Sequence, residues 1–344
     1  MPANFIISRG FGAMLKLPEL LMNNTGQYLI LTSGDPNGIG PEIILKLFKK
    51  RKFSDRPVLI AGFKDTFDFY SGLLNLPEIE GKYFLNRGAP SKFKPKPGKI
   101  LKSAGEIAAS SIFEAIDFSK VHPESAIITL PISKEAINLA GVKFPGHTEL
   151  FEKSYNSTNV AMIFYSDTFM VSSLTGHIPL RKISGSISKK FIIEKLMFLT
   201  DSLKRDFKIE NPTLAILGLN PHCGDGGITG NEETDTIIPA LKLLRTKGID
   251  VAGPFSADGF FATQSQYKYS LVISCYHDQG LIPFKMLQSH DGVNFTAGLP
   301  VVRTSPDHGT AFDIAGKGLA NISSTQSAFN LAIKISSNRR DQIR

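Results

Sequence analysis

The amino-acid sequence predicts an α/β fold with a mostly parallel sheet. Apolar segments of strand length alternate with amphipathic segments of helix length, and this alternation continues almost to the end of the chain. Strands separated by helices of this length are typical of βαβ units, in which the crossover helix makes the two strands parallel. The length of 344 residues predicts either two domains or one large α/β unit.

The expected elements follow one another in regular order. The expected strands are QYLILTSG, PVLIAG, SAIITLPI, VAMIFYS, FMVSSLTG, TLAILGLN, SLVISCY and VVRTSP. The expected helices are GPEIILKLFKK, KDTFDFYSGLL, AGEIAASSIFEAIDFSK, SKKFIIEKLMFLTDSLKRDF and STQSAFNLAIKISSN. We expect the chain to cross into a second domain between residues 131 and 146 and to return near residue 300.

The charge of the chain restricts the classes of partner. The formal net charge is +8 and the isoelectric point is about 9.3, which fits either a nucleic acid or a small anionic substrate. Much of the excess lies in residues 86–105, where lysines alternate with Pro, Ser and Gly and Phe93 is the only aromatic residue. Nucleic-acid surfaces combine basic residues with stacking aromatics, so we interpret this segment as a solvated loop and expect no nucleic-acid partner.

The sequence indicates neither a membrane protein nor a secreted protein. No apolar run reaches the length that spans a bilayer, so no membrane partner is expected. Residues 1–26 include Arg9, Lys16 and Glu19 and show no cleavage pattern, which indicates a short extension rather than a secretory signal. Two cysteines, too few for a disulfide scaffold, favour reduced thiols and a cytoplasmic protein.

Three expected strands are each followed by a histidine. These residues are His177, His222 and His277. Because parallel strands place their carboxyl ends at one edge of a sheet, the three imidazoles are expected to converge there. Neutral imidazoles bind zinc, cobalt and nickel, and three protein ligands with open positions are typical of a catalytic metal site. The alternative is that each histidine is a hydrogen-bonded loop residue.

Two further clusters are candidates for anion binding. His147 and Thr148 stand where a helix is expected to begin, and the N-terminus of a helix is a natural anion site. Lys285, Asn294 and Arg303 could hold a phosphate or carboxylate, which Arg grips with two parallel hydrogen bonds. A plain helix start and surface salt bridges are the respective alternatives.

The glycine-rich segments do not match the common nucleotide-binding motifs. In residues 220–233, Thr229 occupies the position at which the dinucleotide fingerprint requires its third glycine. In residues 307–321, Gly318 follows Lys317 where a Walker A loop has Ser or Thr. The small residues of this second segment nevertheless allow a flat or phosphorylated ligand to approach the backbone.

Taken together, six motifs resemble one enzyme family. They are SGDPNGIGPEI, PGHTELF, TGHIPL, NPHCGDGG, CYHDQGLIPFK and GVNFTAGLPVVRTSPDHGTAFDIAGKG. They are similar in sequence and in order to the PdxA family, the 4-hydroxythreonine-4-phosphate dehydrogenases of pyridoxal phosphate biosynthesis, from about residue 30 to residue 320. The segment HGTAFDIAGKG also resembles the adenosine-side cofactor loop of isopropylmalate dehydrogenases.

The resemblance implies an architecture. It implies two α/β/α domains with mostly parallel sheets, as in isocitrate and isopropylmalate dehydrogenases, with the active site in the cleft between them. The expected division is an extension at 1–26, a first domain at 27–140 plus 304–344, and a second domain at 141–303 that carries the metal ligands. A homodimer with the active site at the subunit interface is also implied.

The resemblance assigns roles to individual residues. The positions that match the metal ligands are His177, His222 and His277. The positions that match substrate contacts are His147, Thr148, Lys285, Asn294 and Arg303. The catalytic candidates are His147 and Asp258. The positions in the cofactor loop are Gly309, Thr310, Asp313, Gly316 and Gly318.

The implied activity is an oxidation followed by a decarboxylation. With NAD or NADP and one divalent ion per subunit (zinc, magnesium or cobalt), 4-phosphooxy-L-threonine would become 2-amino-3-oxo-4-phosphooxybutanoate and then 3-amino-2-oxopropyl phosphate. One alternative is a paralogous dehydrogenase for another four-carbon phosphorylated acid, such as phosphoerythronate. A metal-dependent phosphatase is the alternative from a different class, but it would not require the cofactor loop.

Overall fold

The computed structural model describes residues 27–50, 56–86, 93–143, 146–288 and 291–342. The expected extension at 1–26 lies outside the described residues. In the described part of the chain, one eleven-stranded sheet runs through the molecule and helices cover both of its faces. None of the described helices is long and apolar enough to cross a membrane.

The strands follow the chain as β1 to β11. Their bounds are β1 Leu29–Thr32, β2 Val58–Phe63, β3 Phe84–Asn86, β4 Ala126–Ile128, β5 Ala161–Tyr165, β6 Met170–Ser173, β7 Thr213–Leu217, β8 Asp250–Phe255, β9 Leu271–Ser274, β10 Val293–Ala297 and β11 Val302–Pro306. Their order across the sheet is β3-β2-β1-β4-β11-β10-β5-β6-β9-β7-β8.

The α-helices are numbered in the same way. Their bounds are α1 Gly40–Lys50, α2 Lys64–Leu74, α3 Lys102–Val121, α4 Lys134–Leu139, α5 His147–Ser154, α6 Ile183–Ser186, α7 Lys189–Phe207, α8 Ile238–Thr246, α9 Ala257–Ala262, α10 His277–Leu287 and α11 Ser323–Asp341. A π-helical turn, Glu233–Ile237, leads directly into α8.

The sheet is mostly parallel, which confirms the predicted class. Its antiparallel pairings are all central: β10 runs against both β11 and β5, and β5 runs against β6. The remaining pairings are parallel. The group β6, β9, β7 and β8 therefore runs opposite to the group β3, β2, β1, β4 and β11, and the carboxyl ends of the two groups lie at opposite edges.

Strands such as β2 are apolar along their whole length because both faces of the sheet are covered. In β1, Leu29 and Leu31 pack into one core cluster, whereas Ile30 packs into another on the opposite face. The first cluster includes Ile43 of α1, and the second includes Ile112 of α3. Continuous apolar strands between two helix layers are what the alternation of the sequence indicates.

The sequence prediction omitted three strands. β3, β8 and β10 are short or carry glycine and proline, and β10 pairs only with antiparallel neighbours. A regular βαβ repeat predicts only parallel strands separated by helices, so it does not predict VNFTA, a strand with two antiparallel neighbours. The domain boundaries remain a prediction, although β11 does pair with β4 and so joins the first group of strands.

Asp35, in the loop after β1, is a buried carboxyl group. It is 0% exposed; Oδ1 accepts from the backbone N–H of Asn37 at 2.9 Å, and Oδ2 has no partner among the described residues. Burial raises the pKa of Asp35 to about 6, although hydrogen bonds from the backbone of Asn37 and Ser133 oppose the shift. A group of this kind stabilises the fold when protonated, and that contribution is lost as the pH rises from about 4 through 6.

We expect Asp35→Asn to be more stable than the wild type at pH 7.5. The amide keeps the acceptor for Asn37 and removes the buried charge, a gain on the order of 1–3 kcal/mol because one pKa unit equals about 1.4 kcal/mol. The measurement is urea unfolding at pH 4.0 and 7.5 for both proteins, and we expect the gain to shrink at the lower pH. An equal difference at both pH values would contradict this account.

Candidate active site

A cavity of about 440 Å³ lies over the central antiparallel strands. Its walls come from the start of α5, from β10 and β11, and from the end of α10. The tertiary structure therefore brings together residues that are more than 150 positions apart in the sequence. The residues predicted from the sequence that line this cavity are His147, Thr148, His177, Lys285, Asn294 and Arg303, together with Gly309 of the predicted cofactor loop.

Arg303 is the largest buried side chain of the described chain and is only 2% exposed. Its Nε and Nη2 donate to Thr129 Oγ1 at 3.0 and 2.6 Å, and its Nη1 donates to Thr296 Oγ1 at 2.9 Å. Both partners are neutral hydroxyls, and no ion pair in the described ranges includes this guanidinium.

The charge on Arg303 is therefore poorly compensated by the protein. Burial lowers the pKa of the guanidinium to about 9, and the nearby Glu149 carboxylate opposes the shift, so the group is still charged at neutral pH. A buried charge costs several kcal/mol unless an opposite charge accompanies it. An anionic ligand in the cavity would supply that charge.

His147 and Asn294 offer further polar atoms to such a ligand. The Nε2 of His147 and the Oδ1 of Asn294 are buried, and neither has a hydrogen-bond partner in the part of the chain that the structure describes. Burial, and secondly the charges of Arg303 and Lys134, hold the pKa of His147 well below its usual range. Thr148 is the second residue of α5, where its backbone N–H has no partner within the helix.

Lys285 is fixed at the edge of the cavity by Asp307. Its Nζ lies 3.1 Å from Asp307 Oδ1 and donates to the Asp307 carbonyl oxygen at 3.2 Å. Burial raises the pKa of Asp307, and Lys285 opposes that shift. The ammonium group is half exposed, so it can reach an anion that enters the cavity.

Two of the three expected metal ligands lie together. The rings of His177 and His277 are 5.2 Å apart, centroid to centroid, at an angle of 43°. The Nδ1 of His277 lies 2.7 Å from Asp278 Oδ1, and the Nδ1 of His177 lies 3.7 Å from Glu149 Oε1. This leaves the Nε2 of each ring available, and a carboxylate behind an imidazole is the usual support of a metal-binding histidine.

The third expected ligand, His222, follows β7, the neighbour of β9 in the sheet, but it does not complete a three-ligand group with the other two among the described residues. In the loop after β7, His222, Cys223 and Asp225 adopt left-handed backbone with φ of 51°, 55° and 49°. The loop is anchored where the backbone N–H of Asn220 donates to Glu233 Oε1 at 2.7 Å. Among the described residues, no group of three His, Cys, Asp or Glu side chains is placed to hold a metal ion.

Asp258 shares the surroundings of His222. It is exposed on α9 and accepts a hydrogen bond from Ser256 Oγ at 2.6 Å. That hydrogen bond, with a smaller contribution from His222, lowers the pKa of Asp258. Neither Asp258 nor His222 lines the three cavities that the structure shows around the site. These two sequence candidates therefore form a second, exposed group.

A second cavity of about 310 Å³ adjoins the first. It is lined in part by the predicted cofactor loop, through Ala311 and Ile314, and by Asn321 just beyond that loop. The mixture of apolar and amide side chains suits a flat heteroaromatic group. Asn321 and Ile39, which also lines this cavity, were not among the residues predicted from the sequence.

The cofactor loop is held in place by residues of the first motif. The Glu42 carboxylate, 0% exposed, accepts from the backbone N–H of Ala320 at 2.8 Å and of Gly318 at 3.3 Å. The ammonium group of Lys46 donates to the carbonyl oxygens of the same two residues. A β-carbon on Gly38 would lie 3.0 Å from the Thr310 carbonyl oxygen, so the glycine permits this close packing.

Several lining residues were missed by the sequence reasoning. They are Lys134, Glu149, Ser305, Asp307 and His308. The sequence did contain a signal that could have identified four of these five residues. Each of the four stands within two residues of a predicted site residue or in the segment SPDHG at the end of β11. Their side-chain directions, which decide whether they face the cavity, depend on tertiary packing.

Comparisons with known proteins give a consistent result. The family model described as "Pyridoxal phosphate biosynthetic protein PdxA" matches residues 70–332. The 4-hydroxythreonine-4-phosphate dehydrogenase of Bacteroides thetaiotaomicron is 41% identical over 323 residues, which cover 90% of this chain and 89% of that protein. The D-threonate 4-phosphate dehydrogenase of Pectobacterium atrosepticum is 36% identical over 323 residues, which cover 89% and 98%.

A solved structure supports the fold. The crystal structure of 4-hydroxythreonine-4-phosphate dehydrogenase from Klebsiella pneumoniae superposes with a TM-score of 0.77 at 36% sequence identity. The match covers 91% of this chain and 99% of that one.

Arg303→Met tests the anion site directly. Inorganic phosphate at about 100 times its dissociation constant should stabilise the wild type by about 2.7 kcal/mol, because ligand binding favours the folded state. We expect the variant to lose this effect and to be at least as stable as the wild type without phosphate, because the buried charge is gone. Thermal unfolding of the wild type and the variant, with and without phosphate, measures the stability of each protein and its stabilisation by phosphate.

Lys99→Met is the matched control for loss of one positive charge, since Lys99 is exposed on the basic loop. It should keep the phosphate effect. A phosphate effect that survives in Arg303→Met would place the anion elsewhere.

Proposed function

The chain belongs to the PdxA family, and from this premise we propose that it is a nicotinamide-dependent dehydrogenase acting on 4-phosphooxy-L-threonine in pyridoxal 5'-phosphate biosynthesis. The observation that carries the substrate class is the buried guanidinium of Arg303 in the wall of the larger cavity, which has no ion-pair partner among the described residues. The adjacent cavity beside the cofactor loop supports a second, nucleotide-like ligand. A phosphatase would need the first cavity but not the second.

The proposed reaction has two stages. In the first, the secondary alcohol of the substrate loses a hydride and a proton and becomes the ketone of 2-amino-3-oxo-4-phosphooxybutanoate. In the second, this β-keto acid loses carbon dioxide and yields 3-amino-2-oxopropyl phosphate. The chain's own groups would bind the anionic ends of the substrate and hold the alcohol between the two cavities.

The anion contacts follow from the geometry of the larger cavity. Arg303, Lys285 and the first N–H groups of α5 supply positive charge and donors, and charge-assisted hydrogen bonds of this type contribute roughly 1.5–3 kcal/mol each. Asn294 and His147 present the buried atoms that lack partners in the described chain. A doubly charged phosphate group would satisfy the donors far better than a hydroxyl.

The nicotinamide cofactor, when bound, supplies the hydride acceptor. The residues proposed to hold it are Gly309, Thr310, Asp313, Gly316 and Gly318. The exposed carboxylate of Asp313 would accept hydrogen bonds from ribose hydroxyls and repel a 2'-phosphate, so NAD is favoured over NADP. Ile39 and Asn321 would contact the same ligand from the cavity wall.

A divalent ion, when bound, would polarise the alcohol oxygen and the later carbonyl oxygen. His177 and His277 fit this role, since their rings are 5.2 Å apart and each keeps one nitrogen available. Imidazole ligands suit zinc and cobalt better than magnesium. We propose His222 as the third ligand, supplied by a second copy of the chain, because no three described side chains of one copy are placed to hold a metal ion.

Exposed apolar side chains support a homodimer across the histidine-bearing face. Leu180 is 72% exposed three residues after His177, Ile228 is 85% exposed six residues after His222, and Met286 is 78% exposed on the helix that begins with His277. Large exposed apolar side chains that follow each of the three histidines in the sequence are expected if these histidines lie at a subunit interface. A cytoplasmic location is part of the same proposal.

The second candidate substrate is D-threonate 4-phosphate, because relatives at 36% identity carry that name. It keeps the phosphate, the carboxylate and the alcohol and lacks the amino group. The anion site fits both compounds, as it fits phosphoerythronate.

A substrate panel tests the proposed activity. With NAD and added divalent ion, we expect the fastest formation of reduced nicotinamide from 4-phosphooxy-L-threonine, followed by D-threonate 4-phosphate and phosphoerythronate. Unphosphorylated 4-hydroxy-L-threonine should be at least about tenfold less efficient, because each 1.4 kcal/mol of lost binding is a factor of ten. Faster turnover of an acid without an amino group would overturn the assignment to vitamin B6 synthesis but not the anion site.

Subunit complementation tests the shared metal site. His177→Ala and His222→Ala should each lower the metal content and abolish activity. When the two variants exchange subunits, half of the dimers are mixed and each mixed dimer regains one intact site, so about a quarter of wild-type activity should return. Elemental analysis and activity of the mixture are the measurements.

Two affinity tags, one on each variant, verify the subunit exchange. If mixed dimers form and remain inactive, His177 and His222 must belong to the same subunit at each site. A metal content unchanged by His222→Ala would remove that residue from the site.

A further inference from the structure

The two cavities share one wall. Lys285, Asp307 and His308 line both the cavity that contains Arg303 and the cavity beside the cofactor loop. Hydride transfer requires the two reacting carbons to be about 3–3.5 Å apart, so the substrate alcohol and the nicotinamide ring must meet at this wall. The proton of the alcohol must be accepted at the same place. This step rests on the proposed dehydrogenase function.

One side chain of the wall presents a free lone pair. The Nδ1 of His308 lies 3.1 Å from the Gly309 carbonyl oxygen. A carbonyl oxygen can only accept, so Nδ1 carries the hydrogen and the Nε2 of the neutral ring carries the lone pair. That Nε2 is buried and has no hydrogen-bond partner within the described residues.

We propose that His308 is the general base of the oxidation. Its Nε2 would take the proton as the O–H bond of the alcohol breaks, and His308 would become an imidazolium. A nicotinamide, when bound, would accept the hydride as the C–H bond breaks and the carbon becomes a carbonyl. The neighbouring Asp307 carboxylate stabilises the charge of the imidazolium, and the hydrogen bond to Gly309 keeps the ring oriented.

The other basic groups fit this role less well. His147 also has a buried Nε2 without a partner in the described chain, but it lines only cavities on the substrate side. Lys285 is ion-paired with Asp307, with its Nζ 3.1 Å from Asp307 Oδ1. Asp258 is exposed and lines none of the three cavities.

The charges around His308 keep it in the basic form. Burial lowers the pKa of His308, and so does Lys285, whereas the hydrogen bond to Gly309 and the charge of Asp307 raise it. Lys134 and His147 line the same cavities from the opposite side, and a cation there further disfavours the imidazolium. The ring is therefore neutral at pH 7, and activity should be lost only as the pH falls below the His308 pKa.

The test compares two equivalent substitutions, His308→Gln and His147→Gln, in the full-length protein loaded with metal. For His308→Gln we expect kcat to fall about 100- to 10,000-fold, the size of general-base catalysis, and the acid limb of the pH profile to disappear. Affinity for NAD, from fluorescence titration, should change by less than about threefold, a small effect in binding free energy. His147→Gln should raise KM and keep the acid limb.

A second measurement does not depend on activity. Nitrogen NMR of histidine-labelled protein, with His308→Gln to assign the signal, should show His308 at pH 7 with Nδ1 protonated and Nε2 bare. The opposite tautomer would overturn the proposal, as would a variant that keeps kcat and the acid limb. A variant that loses NAD affinity in proportion to its activity would make His308 a cofactor contact instead. Failure of the proposed dehydrogenase function can be distinguished from failure of the general-base proposal. In that case the wild-type protein would reduce no NAD with any substrate of the panel.

Discussion

A guanidinium that is 2% exposed and bonded only to hydroxyls is the constraint on which the site depends. Arg303 lies on β11, between the parallel β4 and the antiparallel β10, and its partners Thr129 and Thr296 lie on or beside those neighbours. The sheet therefore holds the charge rigidly from both sides. Because no carboxylate of the described ranges lies within ion-pair distance of this group, the charge is left for a ligand.

The charge of Arg303 influences the protonation and the charge balance of the polar groups around it. Arg303 and Lys134 oppose the protonation of His147, so its imidazole stays neutral beside the cation. Glu149 stands on the same helix and partly balances the guanidinium, while it also approaches His177. One carboxylate thus connects the anion site to the paired histidines, and a change at either would be felt at the other.

The reversal of strand direction in the middle of the sheet explains the position of the site. The group of β6, β9, β7 and β8 ends at one edge of the sheet and the group that includes β11 ends at the other, so α10, which follows β9, and the loop after β11 start from opposite edges. Lys285 and Asp307 meet where these two segments cross. This crossing forms the wall between the two cavities, and it brings the proposed base His308 within reach of both ligands.

The sequence by itself determined the α/β class, since alternating apolar and amphipathic segments leave few other ways to bury both faces of a sheet. It also identified seven residues that line the larger cavity, because strand ends, helix starts and glycine-rich loops are local features. It could not place β10, whose pairing is set by distant strands, nor show which of the three histidines lie together. Only tertiary packing decides side-chain direction and the path of a left-handed loop, and those decided that Asp307 and His308 face both cavities.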